Sequence, residues 1–331
     1  MVFFDVRFFW NKIVGMRKNI DTTLRSYDFF FLMRPILFIP LWAPMFLGYA
    51  TEEALGSFSI KLLPGKLFWI NLLSYTLLMG AVYIINQIYD RESDLANNKL
   101  FLIPYNIISI KSAWIFAGVL TILSFVIGIL FSSKDFIIIL IISLILGAMY
   151  SIPPFQLKGK PFLDALSNGI GYGILSYLAG WSSTGRITLS ALLYSLPLFF
   201  FIVAVFLNTT VPDIEGDKKA GLITSGVFMG KKNTTIVASV FMLYALIGAF
   251  IILDIHILIS SLIGLILFVI AIFDDTDYMA KVSYRISSFV FVLTIGLKFP
   301  IFLLLGIIIL ILLRLYYERR FNYVYPTFFG R

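Results

Sequence analysis

Long apolar runs broken by short polar stretches set the pattern of this chain. They stand at roughly 29–50, 68–89, 112–131, 136–150, 163–183, 189–211, 234–253, 256–273, 283–298 and 300–317. Apolar positions within them are continuous rather than alternating, which predicts helices and argues against a barrel. A helix needs about 20 apolar residues to cross a bilayer, and most of the runs supply them. The runs at 136–150 and 283–298 are short, so they must extend into flanking polar sequence, tilt little or thin the bilayer. Residues 1–27 mix Phe3, Phe4, Phe8, Phe9 and Trp10 with basic residues, the pattern of a helix lying in the headgroup region or of a flexible tail.

Composition agrees with this pattern. Of 331 residues 60% are hydrophobic and 13% charged, with a mean hydropathy of +0.96, whereas a soluble domain is nearer half apolar and a quarter charged. The chain is therefore an all-α, polytopic membrane protein, since its polar backbone must be satisfied internally. It has no cysteine, which excludes disulfides, thiolate chemistry and cysteine-ligated zinc. Its single histidine excludes multi-histidine metal sites. That residue, His256, follows Asp254 between two apolar runs and reads as an interfacial group facing water. The net charge of +8 fits basic cytoplasmic loops better than nucleic-acid binding. No cleavable signal is evident, because charges interrupt the first thirty residues.

Two polar clusters change the picture. Asn86, Asp90 and Asp94 recur every four residues where the second run ends, which stacks them on one helical face. Carboxylates and an amide oxygen are the hard ligands that Mg2+ takes while keeping waters and a substrate phosphate. Asp213 and Asp217 repeat the spacing after the run at 189–211. One such pair is ordinarily a solvated loop, but two at membrane exits can hold a diphosphate between bridging metal ions. The acidic run Asp274, Asp275 and Asp277 lacks the four-residue frame and reads as loop.

Lys and Arg give the orientation. Arg7, Lys12, Arg17, Lys18 and Arg25 place the N-terminal tail in the cytoplasm, and Lys158, Lys160, Lys218, Lys219, Lys231 and Lys232 fall on the same side. The opposite loops carry Lys61, Lys66, Lys134 and Arg186. Four runs separate the two aspartate clusters, an even number, so both emerge on one face. Lys298-Phe299-Pro300 is either a turn, giving ten segments, or a kink, giving nine; the basic tail favours ten.

These residues resemble the motifs of the UbiA superfamily of intramembrane prenyltransferases. Asn86-x-x-x-Asp90-x-x-x-Asp94 and Asp213-x-x-x-Asp217 are similar to its two aspartate-rich motifs. Tyr150-Ser151-Ile152-Pro153-Pro154-Phe155-Gln156-Leu157-Lys158 resembles its Tyr-Ser-x-Pro-Pro-x-x-x-Lys loop, and Gly221-x-x-Thr224 and Arg34-Pro35 also fit. The resemblance implies nine core helices around a central cavity, here with a probable tenth C-terminal segment. Residues 1–28 would be an interfacial or flexible segment, 29–298 the prenyltransferase domain, and 299–331 an extra membrane segment with a basic tail.

The resemblance also implies the chemistry: Mg2+-dependent transfer from a polyprenyl diphosphate to a lipophilic or aromatic acceptor, in contact with membrane lipid, with the mouth on the cytoplasmic face of the cell membrane. Asn86, Asp90, Asp94, Asp213 and Asp217 would hold Mg2+. Lys158, Arg34 and Lys218 would contact phosphate oxygens, and Tyr150, Tyr172 or Tyr177 would face the allylic cation. Gln87 after Asn86, with Asp213-x-Glu215-Gly216-Asp217, is more similar to the homogentisate-prenyltransferase and chlorophyll-synthase branches. A cation-coupled transporter is the alternative, but its acids would lie near the midplane between inverted repeats, and no such repeat is evident.

Overall fold

The computed structural model describes residues 23–53, 63–96, 102–219, 221–274 and 276–325, and among them every regular element is helical. The expectation for the N-terminal tail falls mainly on residues 1–22, outside the described set, as does Asp275 of the third acidic run.

The first apolar run is a broken rod. Helix α1 (Asp28–Leu32) ends at Met33, and Arg34 adopts a left-handed conformation (φ 54°, ψ 63°). A 3-10 turn, Pro35–Leu37, then leads into α2 (Phe38–Glu53). Pro35 explains the break, because its ring disfavours the helical region for the residue before it.

There follow α3 (Lys66–Tyr89), the short α4 (Arg91–Ala96), α5 (Ile110–Phe131) and α6 (Lys134–Ser151). The run expected at 163–183 is one rod with three windings: α7 (Leu163–Asn168), a π-helical stretch Gly169–Leu175, and α8 (Ser176–Trp181). Helix α9 (Leu189–Thr210) passes through a 3-10 turn, Val211–Asp213, into α10 (Ile214–Lys219). The last four are α11 (Ser225–Ile251), α12 (Ile255–Ile272), α13 (Tyr278–Lys298) and α14 (Pro300–Phe321).

Eight of the described helical spans are long and apolar enough to cross a bilayer. With the shorter apolar Pro35–Thr51 and the composite rod at 163–181, the described rods number ten. Neither run read as short needs a thinned bilayer. Helix α6 extends through Lys134 and Asp135 to the cap Ser133, whose Oγ accepts from the Phe136 amide at 3.2 Å. Helix α13 reaches 21 residues by starting at Tyr278 and taking in Lys281, a charge near its end, where a long side chain reaches water.

Successive crossings pack antiparallel. The Gly65 amide donates to Tyr49 Oη at 3.0 Å where α2 meets the start of α3, while Gln87 at the end of α3 donates to the Leu32 carbonyl at 2.8 Å. Two glycines bring α2 and α8 into backbone contact: a Cβ on Gly48 would stand 2.0 Å from the Tyr177 carbonyl oxygen, and one on Gly180 1.9 Å from that of Met45. Small residues permit such close approach in membrane bundles, and interhelical hydrogen bonds add to it. Ser74 and Ser124 exchange bonds between α3 and α5, Tyr75 meets Ser143 on α6 at 3.0 Å, and Asn208 on α9 donates to Ser283 on α13 at 2.9 Å.

His256 is buried, 4% exposed, rather than facing water. Asp254 accepts from the amides of His256 (3.0 Å) and Ile257 (2.9 Å), which draws the first turn of α12 into the bundle.

Lys298-Phe299-Pro300 is a turn. Phe299 leaves the helical region (φ −122°, ψ 84°), and its ring lies 5.1 Å from that of Phe46 at the middle of α2 and 6.2 Å from that of Tyr49, toward its far end. The opposite end of α14 returns to α1, where Tyr316 stacks on Phe31 at 3.6 Å. Helix α14 therefore runs antiparallel to the first crossing and ends on the face that carries Asp28.

Candidate active site

Both aspartate motifs lie where an apolar crossing ends, and one loop spans them. Asp90 caps α3, its backbone N–H still bonded to the Asn86 carbonyl at 2.9 Å, and the Asp94 N–H bonds to the Asp90 carbonyl at 2.7 Å. The helical register thus continues almost unbroken from Asn86 into α4, and Asp94 is buried. Asn86 Nδ2 donates to Ser151 Oγ at 3.3 Å, which ties the first motif to the start of the loop.

That loop runs from α6 to α7. It contains a cis peptide between Pro153 and Pro154, and Gln156 in a left-handed conformation, which opens a 3-10 turn at Leu157–Gly159. The turn carries Lys158, whose Nζ donates to Asp90 Oδ1. Both partners are largely shielded, with side chains 10% and 25% exposed. A charge-assisted bond in such surroundings is stronger than a neutral one.

One residue further on, the loop reaches the second motif. A Cβ on Gly159 would lie 3.4 Å from the side chain of Leu222. The Leu222 amide bonds to the Asp217 carbonyl at 3.0 Å, and Gly221 supplies the positive φ (72°) that the turn requires. Thr224 Oγ1 donates to Asp217 Oδ2 at 2.9 Å and caps α11. Gly221-x-x-Thr224 is thus the turn that holds the Asp217 carboxylate.

A third link was not read from the sequence. Asp164, buried at the start of α7, accepts from the Ser225 amide at 2.7 Å and from the Ser225 hydroxyl. The Phe162 amide donates to the same Ser225 oxygen at 2.8 Å. The signal was available, since an acid inside an apolar run marks a site by default, but its partner lies 61 residues away.

The remaining candidates divide. Tyr150 stands at the mouth, its Oη accepting from Asn168 Nδ2 at 3.2 Å. Tyr172, on the π-helical stretch, shares a 2.8 Å hydrogen bond with Tyr83, which lies one turn before Gln87 on α3. Single π turns occur often at functional sites. Arg34 lies within electrostatic reach of both tyrosines. Lys218 is turned to solvent and pairs with Glu215 at 3.4 Å. Tyr177 is fully buried in the α2–α8 contact, 6.1 Å from the Trp181 ring and away from the Asp90–Lys158 pair. Asp213 and Glu215 are exposed on α10 and the turn before it.

Among the described residues no three acids or histidines draw together into a ready-made metal cage. Mg2+ does not need one, because it dehydrates reluctantly and is held by one or two carboxylates plus substrate phosphates. The donor set fits that use: hard oxygen ligands in two pairs, one of them already matched by the Lys158 ammonium.

The chain matches the model of the UbiA prenyltransferase family over residues 37–288. It is similar to the chloroplastic 2-acyl-4-prenylphloroglucinol 6-prenyltransferase of Humulus lupulus, 35% identical over 187 residues covering 52% of this chain and 45% of that protein. It is also similar to a lycopene elongase/hydratase of Haloarcula japonica, 29% identical over 217 residues covering 61% of this chain and 67% of that one. The chain spans about half the length of several of the relatives it matches. In fold it is similar to a UbiA homolog from Archaeoglobus fulgidus bound to GPP and Mg2+, with a TM-score of 0.61 at 21% identity, covering 82% of this chain and 99% of that chain.

Proposed function

Because the chain belongs to the UbiA prenyltransferase family, we propose that it transfers a prenyl group from a polyprenyl diphosphate to a lipophilic or aromatic acceptor within the membrane, with Mg2+ held at the acidic mouth. The observation that carries the reading is the 151–164 loop: Lys158 holds Asp90, Gly159 abuts Leu222, and Asp164 holds Ser225. One loop thereby touches the residues of both sequence-distant motifs.

Asp90, Asp94, Asp213 and Asp217, with Asn86, are the groups that would hold Mg2+. When bound, the metal offsets charge on the departing diphosphate. Lys158 neutralises Asp90 and is placed to exchange that partner for a phosphate oxygen. Arg34 offers a planar fork suited to phosphate. The allylic C–O bond breaks with its electron pair going to diphosphate, and the acceptor atom bonds to the allylic carbon and sheds a proton. Tyr83, Tyr150 and Tyr172 present aromatic faces to that cation, and the apolar walls keep water from it. The loop-charge bias supports a mouth on the cytoplasmic face. Residues 29–298 are read as the catalytic unit, with 299–331 added to it.

The test is turnover of radiolabelled GPP by detergent-solubilised protein offered a panel of aromatic and lipid acceptors. Diphosphate release that stops on chelation of Mg2+, and that falls by several orders of magnitude in Asp90→Ala and in Asp217→Ala, is the expected result. Unchanged turnover in either variant would contradict the reading.

A further inference from the structure

The hydroxyl that holds Asp217 belongs to a stretch of chain set off at both ends. The turn after α10 passes through Gly221 (φ 72°), and α11 leaves the helical region again at Gly230 (φ 73°, ψ 165°), a conformation essentially confined to glycine. Between them lies Thr224, which donates to Asp217 Oδ2 at 2.9 Å. The break at Gly230 means that this stretch is not a rigid extension of the crossing behind it. Contacts of its own must place it.

Two kinds of contact do so. One is packing: a Cβ on Gly226 would stand 2.6 Å from Thr210 Oγ1, so the stretch lies against the end of α9. The other is directional and comes from Asp164. Its fully buried carboxylate accepts from the Ser225 amide at 2.7 Å and from the Ser225 hydroxyl. Ser225 Oγ in turn accepts from the Phe162 amide at 2.8 Å, and the Phe162 ring meets that of Phe228 edge-on at 5.7 Å.

Asp164 itself is well fixed. Its carbonyl accepts from Asn168 Nδ2 at 2.8 Å, and its carboxylate also accepts from the Ala165 amide at 2.7 Å. These donors offset the cost of burying the carboxylate. A continuous series of contacts thus runs from Asp164 to Ser225, to the adjoining Thr224, and on to the Asp217 carboxylate.

We propose that Asp164 is a positioning residue for the second aspartate motif: it fixes Ser225, and through Thr224 it aims the Asp217 carboxylate toward metal and diphosphate. The inference rests on the function proposed above and adds to it a residue that touches neither ligand. Ligating carboxylates depend on the groups that orient them, and loss of such an outer partner typically weakens metal binding about 10–100-fold. Asp164→Asn keeps the size of the side chain, but its amide nitrogen cannot accept a bond from Ser225.

The experiment measures equilibrium binding of radiolabelled GPP to the detergent-solubilised protein across a Mg2+ series. It compares the wild-type protein with Asp164→Asn, Ser225→Ala, Thr224→Val, Asp164→Asn/Thr224→Val and Asp254→Asn. Asp164→Asn and Thr224→Val are each expected to raise the half-saturating Mg2+ concentration about tenfold or more, with GPP binding at saturating Mg2+ within about twofold of wild type. Ser225→Ala, which keeps the amide bond to Asp164, should give a smaller shift. The double variant should shift no further than the larger single one, because both act along one series of contacts. Asp254→Asn alters another buried carboxylate cap, at the opposite end of the bundle, and should leave the Mg2+ response at its wild-type value. A wild-type response in Asp164→Asn would overturn the inference. So would an equal shift in Asp254→Asn, or shifts that multiply in the double variant. If Asp164→Asn does not fold, Ser225→Ala decides: a shifted response supports the inference and a wild-type one overturns it. A wild-type protein that binds no GPP at any Mg2+ concentration would instead overturn the proposed function, and this inference with it.

Discussion

Lys158 is the residue whose removal says most about the mouth. It lies against Asp90 where both side chains are shielded, so it performs part of the neutralisation that a bound cation would complete. Lys158→Met should raise KM for a prenyl diphosphate by roughly 10–100-fold, since a bond to a charged group contributes about 1.5–3 kcal/mol. The half-saturating Mg2+ concentration should not rise, because a competitor for Asp90 has gone. Steady-state kinetics across a Mg2+ series checks both, and an unchanged KM would remove Lys158 from the site. Asp90 and Lys158 were legible in the sequence because helical spacing and loop chemistry are local. The Asp164–Ser225 clamp was not, because a buried carboxylate looks the same in sequence whatever lies opposite it. Tyr177 shows the same ambiguity: a tyrosine in an apolar run is equally suited to a cavity wall and to a packed crossing, and here its ring is fully buried 6.1 Å from that of Trp181.

Elements followed the hydropathy closely, since continuous apolar runs leave the backbone no choice but helix. Their ends did not. Helices α6 and α13 continue through Lys134 and Lys281, which an apolar-run criterion cuts away, and the break at Arg34 depends on Pro35. Helix α14 gives a test at this scale. Its ion pair with α1 joins two fully buried charges, and removing one partner of such a pair typically costs about 3–5 kcal/mol because the other is left uncompensated. Asp28→Ala and Arg320→Met should therefore each lower the thermal midpoint in detergent by several degrees. The double variant should recover part of the loss, as coupled neighbours do. Additive losses would show that α14 is not locked to α1 through this pair.

At the scale of the molecule, parity of crossings decides whether the account can hold. Four rods separate the end of α3 from the start of α10, which puts both aspartate motifs on one side, and the turn at Phe299 brings the end of α14 to that side as well. The chain has no cysteine, so single cysteines can be introduced without background. Glu92→Cys, Glu215→Cys and Val324→Cys should react with a membrane-impermeant thiol reagent from one side of sealed vesicles, and Leu63→Cys from the other. Labelling of positions 92 and 215 from opposite sides would contradict the topology.

Two motifs gripping one diphosphate must act as a unit, so their losses cannot add. The decisive measurement is Mg2+-dependent binding of radiolabelled GPP to Asp90→Ala, Asp217→Ala and the double variant. Each single change should weaken binding nearly as much as both together, because either motif alone leaves the diphosphate half held. One variant binding as wild type, or two independent losses that sum, would mean that the motifs do not share a ligand.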